Sequence, residues 1–269
     1  MAASMPDVFN VRTFCLITGA SKGIGRGIAT SLGDKVGDNS VMVLVARSEA
    51  GLLETKRLIT CRRGGEVDVR ILVCDLGVMM SISSHIQPMF TDIEPETFQH
   101  AILINNAGSL GDVSSKLREF GDPFELQNYY GLNVTTAICV TSQFLTNFPK
   151  RDKLRRTVVN ITSLCAIQPF KYSSLYCSSR AARDMLFQVL AAEEPDVRVV
   201  SYSPGPIDTD MQRDLRENLG DPEMQKVYAD LETNGALLTV DQTMKTLIAL
   251  LEEDSFKSGS HVDYYDINK

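Results

Sequence analysis

The chain has no tryptophan and only three histidines, at positions 85, 100 and 261. None of them falls in a zinc-ligand spacing or near a nucleophile elbow, so a metal centre or a Ser-His-Asp relay has little support. No run of eighteen apolar residues occurs, which argues against a membrane-spanning helix. Residues 1–11 contain no apolar leader core, and the expectation is a soluble, cytoplasmic protein. Basic residues are outnumbered, with 27 Lys and Arg against 34 Asp and Glu for a formal net charge of −7; nucleic acid needs a concentrated positive surface. The pairs Lys56-Arg57, Arg62-Arg63 and Lys150-Arg151 read as solvated helix ends. Cysteines at 15, 61, 74, 139, 165 and 177 show neither metal-ligand spacing nor a small-scaffold disulfide pattern. They read as packing residues in a reducing compartment.

What is present is ordinary in composition, with 43% hydrophobic and 23% charged residues over 269 positions, as in soluble globular proteins. Strand-length apolar runs recur at Phe14–Ile17, Val41–Val45, Val69–Val73, Ala101–Ile104, Val158–Ile161 and Val197–Ser201. Helical spacing fills 24–33, 49–62, 78–90, 122–147, 174–193, 209–217, 222–233 and 240–253. The alternation predicts one α/β domain over 1–269, a doubly wound parallel sheet of about seven strands with helices on both faces. Right-handed crossovers then bring the strand carboxyl ends to one edge, where such sheets bind ligands.

The first strand leads directly into Thr18-Gly-Ala-Ser-Lys-Gly-Ile-Gly25. Glycines there let the backbone approach a pyrophosphate, and the following helix turns its amides toward the anion. Gly19, Ser21, Lys22, Gly23, Ile24 and Gly25 are the expected contacts; a bare tight turn is the alternative. Val45-Ala-Arg-Ser48 lacks the acid that would accept a ribose diol. Arg47 and Ser48, with Lys22, instead suit a 2′-phosphate and favour NADPH, unless Arg47 is simply a solvated surface residue. Asp75 and Leu76 end the third strand beside the expected adenine. After the fourth, Asn105-Asn-Ala-Gly108 reads either as a close passage by the adenosine ribose, using Asn105, Ala107 and Gly108, or as a turn held by side-chain hydrogen bonds.

Ser163 stands thirteen residues before Tyr176, which stands four before Arg180. Reducing a ketone builds negative charge on its oxygen. Two hydroxyls can meet that charge, and a cation one helical turn beyond the tyrosine favours phenolate. Singly, Ser163 could cap a turn and Tyr176 and Arg180 could be buried structural residues. Their order after the glycine loop, followed by Pro204-Gly205, resembles the short-chain dehydrogenase/reductase family over nearly the whole chain.

That resemblance implies a Rossmann fold in which Ser163 orients and Tyr176 protonates the carbonyl, and Asn133 in Leu132-Asn-Val134 supports a proton path. Pro204, Gly205, Ile207 and Thr209 would line the nicotinamide pocket. The family carries a lysine at position 180, so Arg180 is a departure: a broad, permanently charged guanidinium replaces a compact ammonium. Within the family, Ser163–Pro169, Leu175–Cys177, Ala181–Leu186, Ala191–Pro195, Ser203–Pro206 with Asp208–Gln212, and Ser258–Asp263 are similar to members that reduce pterin side-chain ketones. This implies a small pterin substrate anchored by Asp263 and bordered by Ser163, Tyr176 and Gly205, with NADPH/NADP as cofactor, in a cytosolic homodimer. The competing expectations are a general carbonyl or dicarbonyl reductase, and an NADPH-binding protein whose catalysis Arg180 has weakened.

Overall fold

The computed structural model describes residues 8–268; the expectation of no apolar leader rests largely on residues 1–7, outside the described residues. In chain order the elements are β1 (Thr13–Thr18), α1 (Gly23–Gly33), β2 (Ser40–Ala46), α2 (Glu49–Arg63), β3 (Val67–Val73), α3 (Ile82–Ile86), β4 (His100–Asn105), α4 (Pro123–Tyr130), α5 (Thr136–Asn147), β5 (Arg155–Ile161), α6 (Ser174–Glu193), β6 (Val197–Ser203), α7 (Asp210–Asn218), α8 (Pro222–Thr233), α9 (Val240–Glu253), β7 (Ser260–Asp263) and α10 (Tyr264–Ile267). The strands form one parallel sheet in the order β3-β2-β1-β4-β5-β6-β7. Winding runs outward from β1 to β3, then crosses to β4 and runs the other way. The crevice between β1 and β4 is therefore the switch point where ligands enter.

Side-chain alternation along β1 explains why both faces need covering. Cys15 and Ile17 pack with Met42 and Leu44 under Ile28, Leu32, Leu52 and Leu247 of α1, α2 and α9. Phe14 and Leu16 pack with Val41 and Val43 under Val140 and Phe144 of α5 and Phe187 of α6. Phe14 also meets the Phe148 ring at 4.7 Å and the rings of Phe90 and Phe98 at 5.9 Å.

Two expectations need correction. The helix expected over 78–90 is a 3-10 turn, the five-residue α3 and a second 3-10 turn at Gln87–Phe90; Pro88 has no N–H for a helical ladder. The helix expected over 122–147 is interrupted between α4 and α5 by a π-helical turn, Gly131–Thr135. The sheet has the seven strands expected; the seventh, β7, which no apolar run located, is four residues long and partly polar. Among the described residues no helix is long and apolar enough to cross a membrane.

At the amino end of β4, His100 is 1% exposed, its Nδ1 3.0 Å from the Val8 carbonyl and its Nε2 2.8 Å from the Thr157 hydroxyl. A carbonyl only accepts, so Nδ1 carries the proton and Nε2 accepts from Thr157. Burial, then the Arg155 charge, pushes the His100 pKa down from 6.5 to about 3. Below pH 6.5 the unfolded chain binds a proton that the folded chain refuses until about pH 3, so stability falls as pH drops through that window. From pH 7 to pH 5 this residue should remove about 2 kcal/mol, read by urea unfolding at each pH. A His100→Gln chain should lose correspondingly less; equal pH slopes for the two would refute the assignment.

Candidate active site

A cleft of about 950 Å³ opens at the carboxyl ends of β1, β2, β3 and β4. The loop after β1 forms its floor, as its glycines dictate. Gly19 takes φ +71°, and a Cβ on Gly25 would lie 2.1 Å from the Gly19 carbonyl oxygen, so neither position admits a side chain without rearranging the loop. Gly19, Ser21, Lys22, Gly23, Ile24 and Gly25 all line the cleft, and the start of α1 can offer its amides to an anion there. The loop is held open from behind. Asn106 Nδ2 donates to the carbonyls of Thr18 (2.9 Å) and Gly19 (3.2 Å), and the Thr18 hydroxyl accepts the amides of Asn106 and Ala107, each at 3.1 Å.

Arg47, Ser48, Asp75 and Leu76 line the far end. Ser48 caps α2, accepting the Gly51 amide at 3.2 Å. Arg47 is largely solvent-exposed, its guanidinium 3.9 Å from Asp75, while the other Asp75 oxygen accepts the Gly77 amide at 2.8 Å. Across the mouth, Lys22 Nζ meets the Asp210 carboxylate of α7 at 2.5 Å. That bond holds Asp210 below the usual carboxylate range. Ala107, Gly108 and Thr209 also line the cleft, together with Asn106, Leu132, Met211 and Arg213.

Asn105 requires a correction. It is 2% exposed, donates to the Thr141 hydroxyl at 2.9 Å and gives its carbonyl to Arg183. It braces the sheet edge, and its neighbour Asn106 is the one that reaches the cleft. Pro204, Gly205 and Ile207 also lie outside the cleft wall. The Pro204 carbonyl accepts the Thr243 hydroxyl at 2.9 Å, Gly205 turns at φ +77° against Leu238 and Tyr265, and Ile207 is buried in a bridge to Leu238.

Tyr176 and Arg180 lie on the inner face of α6, 8% and 4% exposed. The Arg180 guanidinium stacks over the Tyr176 ring, 4.8 Å from its centroid, and donates to the Ile161 carbonyl at 3.0 Å. Its Nε has no partner. Gly108 makes room for it: a Cβ there would lie 2.8 Å from the guanidinium and 2.9 Å from Asn133 Oδ1. The Tyr176 hydroxyl points to Met211 Sδ, 4.0 Å away, and Met211 is part of the cleft wall. Ser163 caps the turn Leu164–Ala166, accepting the Cys165 amide at 3.2 Å. Asn133, fully buried in the π-helical turn, accepts the Ser109 amide at 2.9 Å and donates to the Tyr129 carbonyl at 3.0 Å. Asp263 sits at the end of β7, where its two oxygens accept from the Ser203 hydroxyl (2.5 Å) and the Tyr265 amide (3.0 Å).

Sequence reasoning passed over Arg183, 1% exposed, which donates to Asn160 Oδ1 at 2.8 Å and to the Ala107 carbonyl at 3.1 Å. Its only sequence signal is its spacing, seven residues after Tyr176 on the same helical face. Met211 lies within the Asp208–Gln212 stretch that carries the resemblance, but nothing in the sequence placed it at the site.

Similarities to known proteins agree with this geometry. Residues 13–220 match the family model for short chain dehydrogenase. The chain is 45% identical to the sepiapterin reductase of Bos taurus over 255 residues, 95% of each chain. It is 46% identical to that of Meriones unguiculatus over 252 residues, 94% of this chain and 96% of the relative. The crystal structure of the KRED1-Pglu enzyme superposes with a TM-score of 0.76 at 26% identity, covering 93% of this chain and all of the other. With its sheet order, its loop after β1 and these relatives all in accord, the chain belongs to the short-chain dehydrogenase family of oxidoreductases.

Proposed function

We propose that this chain reduces the side-chain ketone of a pterin such as sepiapterin or 6-pyruvoyl-tetrahydropterin, using NADPH. The observation that carries the reading is the Tyr176 hydroxyl, held by its ring against Arg180 and directed at the end of the cleft marked by Gly108 and Met211. The relatives' pterin activity supports the substrate class.

The glycine cradle, in which a Cβ would collide with the loop's own carbonyl, fits a pyrophosphate. Gly19, Ser21, Gly23, Ile24 and Gly25 would hold it, Arg47, Ser48 and Lys22 the 2′-phosphate, and Asp75 and Leu76 the adenine. When bound, the reduced dinucleotide supplies a hydride to the ketone carbon. Tyr176 gives its hydroxyl proton to the ketone oxygen as charge builds there, and Ser163, whose oxygen already accepts the Cys165 amide, directs its own O–H at the same atom. Asn133 holds the loop after β4 at the right depth and begins the path by which Tyr176 regains its proton. Exposed apolar Ile138, Met185 and Val189 on α5 and α6 suit the homodimer that the resemblance implies.

Tyr176→Phe should lower turnover on sepiapterin about a thousandfold while leaving dinucleotide affinity unchanged; full turnover in that variant would remove Tyr176 as proton donor. Arg180→Lys should maintain or raise turnover, because an ammonium fits the space beside Gly108 and keeps the charge. A collapse to the level of Tyr176→Phe would show that the guanidinium itself is required.

Arg47→Ala should raise the KM for NADPH by about tenfold to a hundredfold, the worth of one hydrogen bond to a charged group, and leave the KM for NADH alone. Parallel changes for the two cofactors would place the 2′-phosphate elsewhere.

The engagement of both Asp263 oxygens within the chain favours a second reading, a reductase of small dicarbonyls that needs no pterin anchor. Asp263→Ala separates the two. A rise in KM confined to pterins supports anchoring, since a carboxylate can take neighbouring N–H donors of the pterin edge through its remaining lone pairs. Equal losses on pterin and diketone support the second reading.

A further inference from the structure

The cleft wall holds a half-buried guanidinium that no carboxylate answers. Arg26, in the first turn of α1, lines the cleft together with Ser21, Ser48 and Gly51. Its side chain crosses to α2, where Nε donates to the Thr55 hydroxyl at 3.2 Å. Nη2 donates to the Ser21 carbonyl at 2.5 Å and to the Gly51 carbonyl at 3.4 Å. All three acceptors are neutral, and among the described residues Nη1 meets none. Glu54, the acid of α2 that feels the Arg26 charge, is itself paired with Arg57 at 2.7 Å.

Thr55, fully buried, completes a clip between the loop after β1 and α2. Its hydroxyl donates to the Ala20 carbonyl at 2.9 Å, lies 3.0 Å from the Gly51 carbonyl and accepts from Arg26. The two segments meet with no room for a side chain: a Cβ on Gly51 would lie 2.8 Å from both Ser21 Cβ and the Ser21 carbonyl oxygen. Gly51 is fixed at both of its polar groups, the amide by Ser48 at 3.2 Å and the carbonyl by Arg26 and Thr55. The clip also settles the charge of the loop. A carbonyl oxygen turned toward an anion repels it, and here four successive carbonyls are drawn off by side chains, Thr18 and Gly19 by Asn106, Ala20 by Thr55 and Ser21 by Arg26. What the loop offers the cleft is then the amides at the start of α1, which have no intrahelical partner.

The two guanidinium groups of the cleft are not equivalent. The Arg47 side chain is 75% exposed and has Asp75 3.9 Å away, so its charge is screened by salt and its side chain must be ordered on binding. Arg26 is already ordered by three acceptors and partly out of water, so salt screens it less and its alignment costs little.

We propose that Arg26 is a specificity-determining residue for the phosphorylated dinucleotide, offering the 2′-phosphate a prealigned donor, Nη1, and a weakly screened charge from the wall it shares with Ser48. This role rests on the NADPH reading; the clip between loop and helix does not.

The test is calorimetric titration of the full chain with NADP and with NAD, which differ only in the 2′-phosphate. The unaltered chain should prefer NADP. Arg26→Gln keeps a neutral donor for the Ser21 carbonyl and removes the charge. It should raise the Kd for NADP about tenfold to a hundredfold, the worth of one hydrogen bond to a charged group, and leave that for NAD unchanged. Raising the salt to about 0.5 M should shrink the loss caused by Arg47→Ala while the loss caused by Arg26→Gln persists. Equal losses for the two dinucleotides would reduce Arg26 to a structural clip and overturn the proposal, as would an Arg26 effect that fades with salt alongside that of Arg47. If Arg26→Gln does not fold, Arg26→Lys decides. That variant keeps the charge and loses the planar fork, so the preference for NADP should fall about threefold to tenfold, the worth of one ordinary hydrogen bond; an unchanged preference would overturn the role of the fixed fork. An unaltered chain that binds NADP and NAD equally would sink the NADPH reading and the role of Arg26 with it, whereas a preference that survives Arg26→Gln removes Arg26 alone.

Discussion

The position of Tyr176 depends on a buried guanidinium two helical turns further along α6. Arg183 donates to the carbonyls of Asn105 and Ala107 at the end of β4 and to the Asn160 side chain on β5. Asn160 in turn donates to Asp184 at 3.1 Å and to Ser201 on β6 at 3.0 Å, and Asp184 meets His261 of β7 at 2.6 Å. One helix is thereby pinned to four adjacent strands at the edge where the cleft opens. Burial, then the nearby Arg180 charge, pushes the Arg183 pKa down to about 9, so this side chain is tolerated only because acceptors surround it. Apolar packing alone would let α6 slide along its ridges. A planar fork met by fixed carbonyls sets one axial position, and Tyr176 and Arg180 share the helical face that carries the fork.

The same anchor accounts for the accommodation of Arg180. With Arg183 holding the helix, the residue one turn earlier needs no structural role and is left one strong acceptor, the Ile161 carbonyl, and the face of Tyr176. Gly108 matters here as much as in the cleft, because the space a side chain would take is filled by the guanidinium. Two guanidinium groups three residues apart repel each other. The unpartnered Nε of Arg180 marks where the fit of an arginine in this space is least complete.

Local rules made much of this legible from residues alone. The first six strands follow from apolar runs because a sheet covered on both faces makes its strands continuously hydrophobic. The glycine loop follows from strand, glycines and helix in immediate succession. Asn105 and Asn106 show where such reasoning stops: adjacent residues leaving a strand face opposite ways, and only the register of β4 between β1 and β5 decides which amide reaches the cleft. Arg183 and Met211 were equally illegible, since each acquires its meaning from a partner distant in sequence. The π-helical turn that seats Asn133 leaves no trace in a hydrophobic period.

Charge in the cleft argues for a mouth that changes partners on binding. Lys22 and Asp210 are 70% and 55% exposed, so their ion pair contributes little to stability and is screened by salt. A phosphate entering the cradle meets fixed amides at the start of α1, carries more charge than a carboxylate, and competes for Lys22 on favourable terms. Asp210 then keeps only Arg213, 3.4 Å away on its own helix. The loop proposed to hold the dinucleotide and the helix that carries Met211 against the Tyr176 hydroxyl are joined by this exchangeable contact. On the proposed reading, filling the cleft therefore acts on Tyr176 through α7.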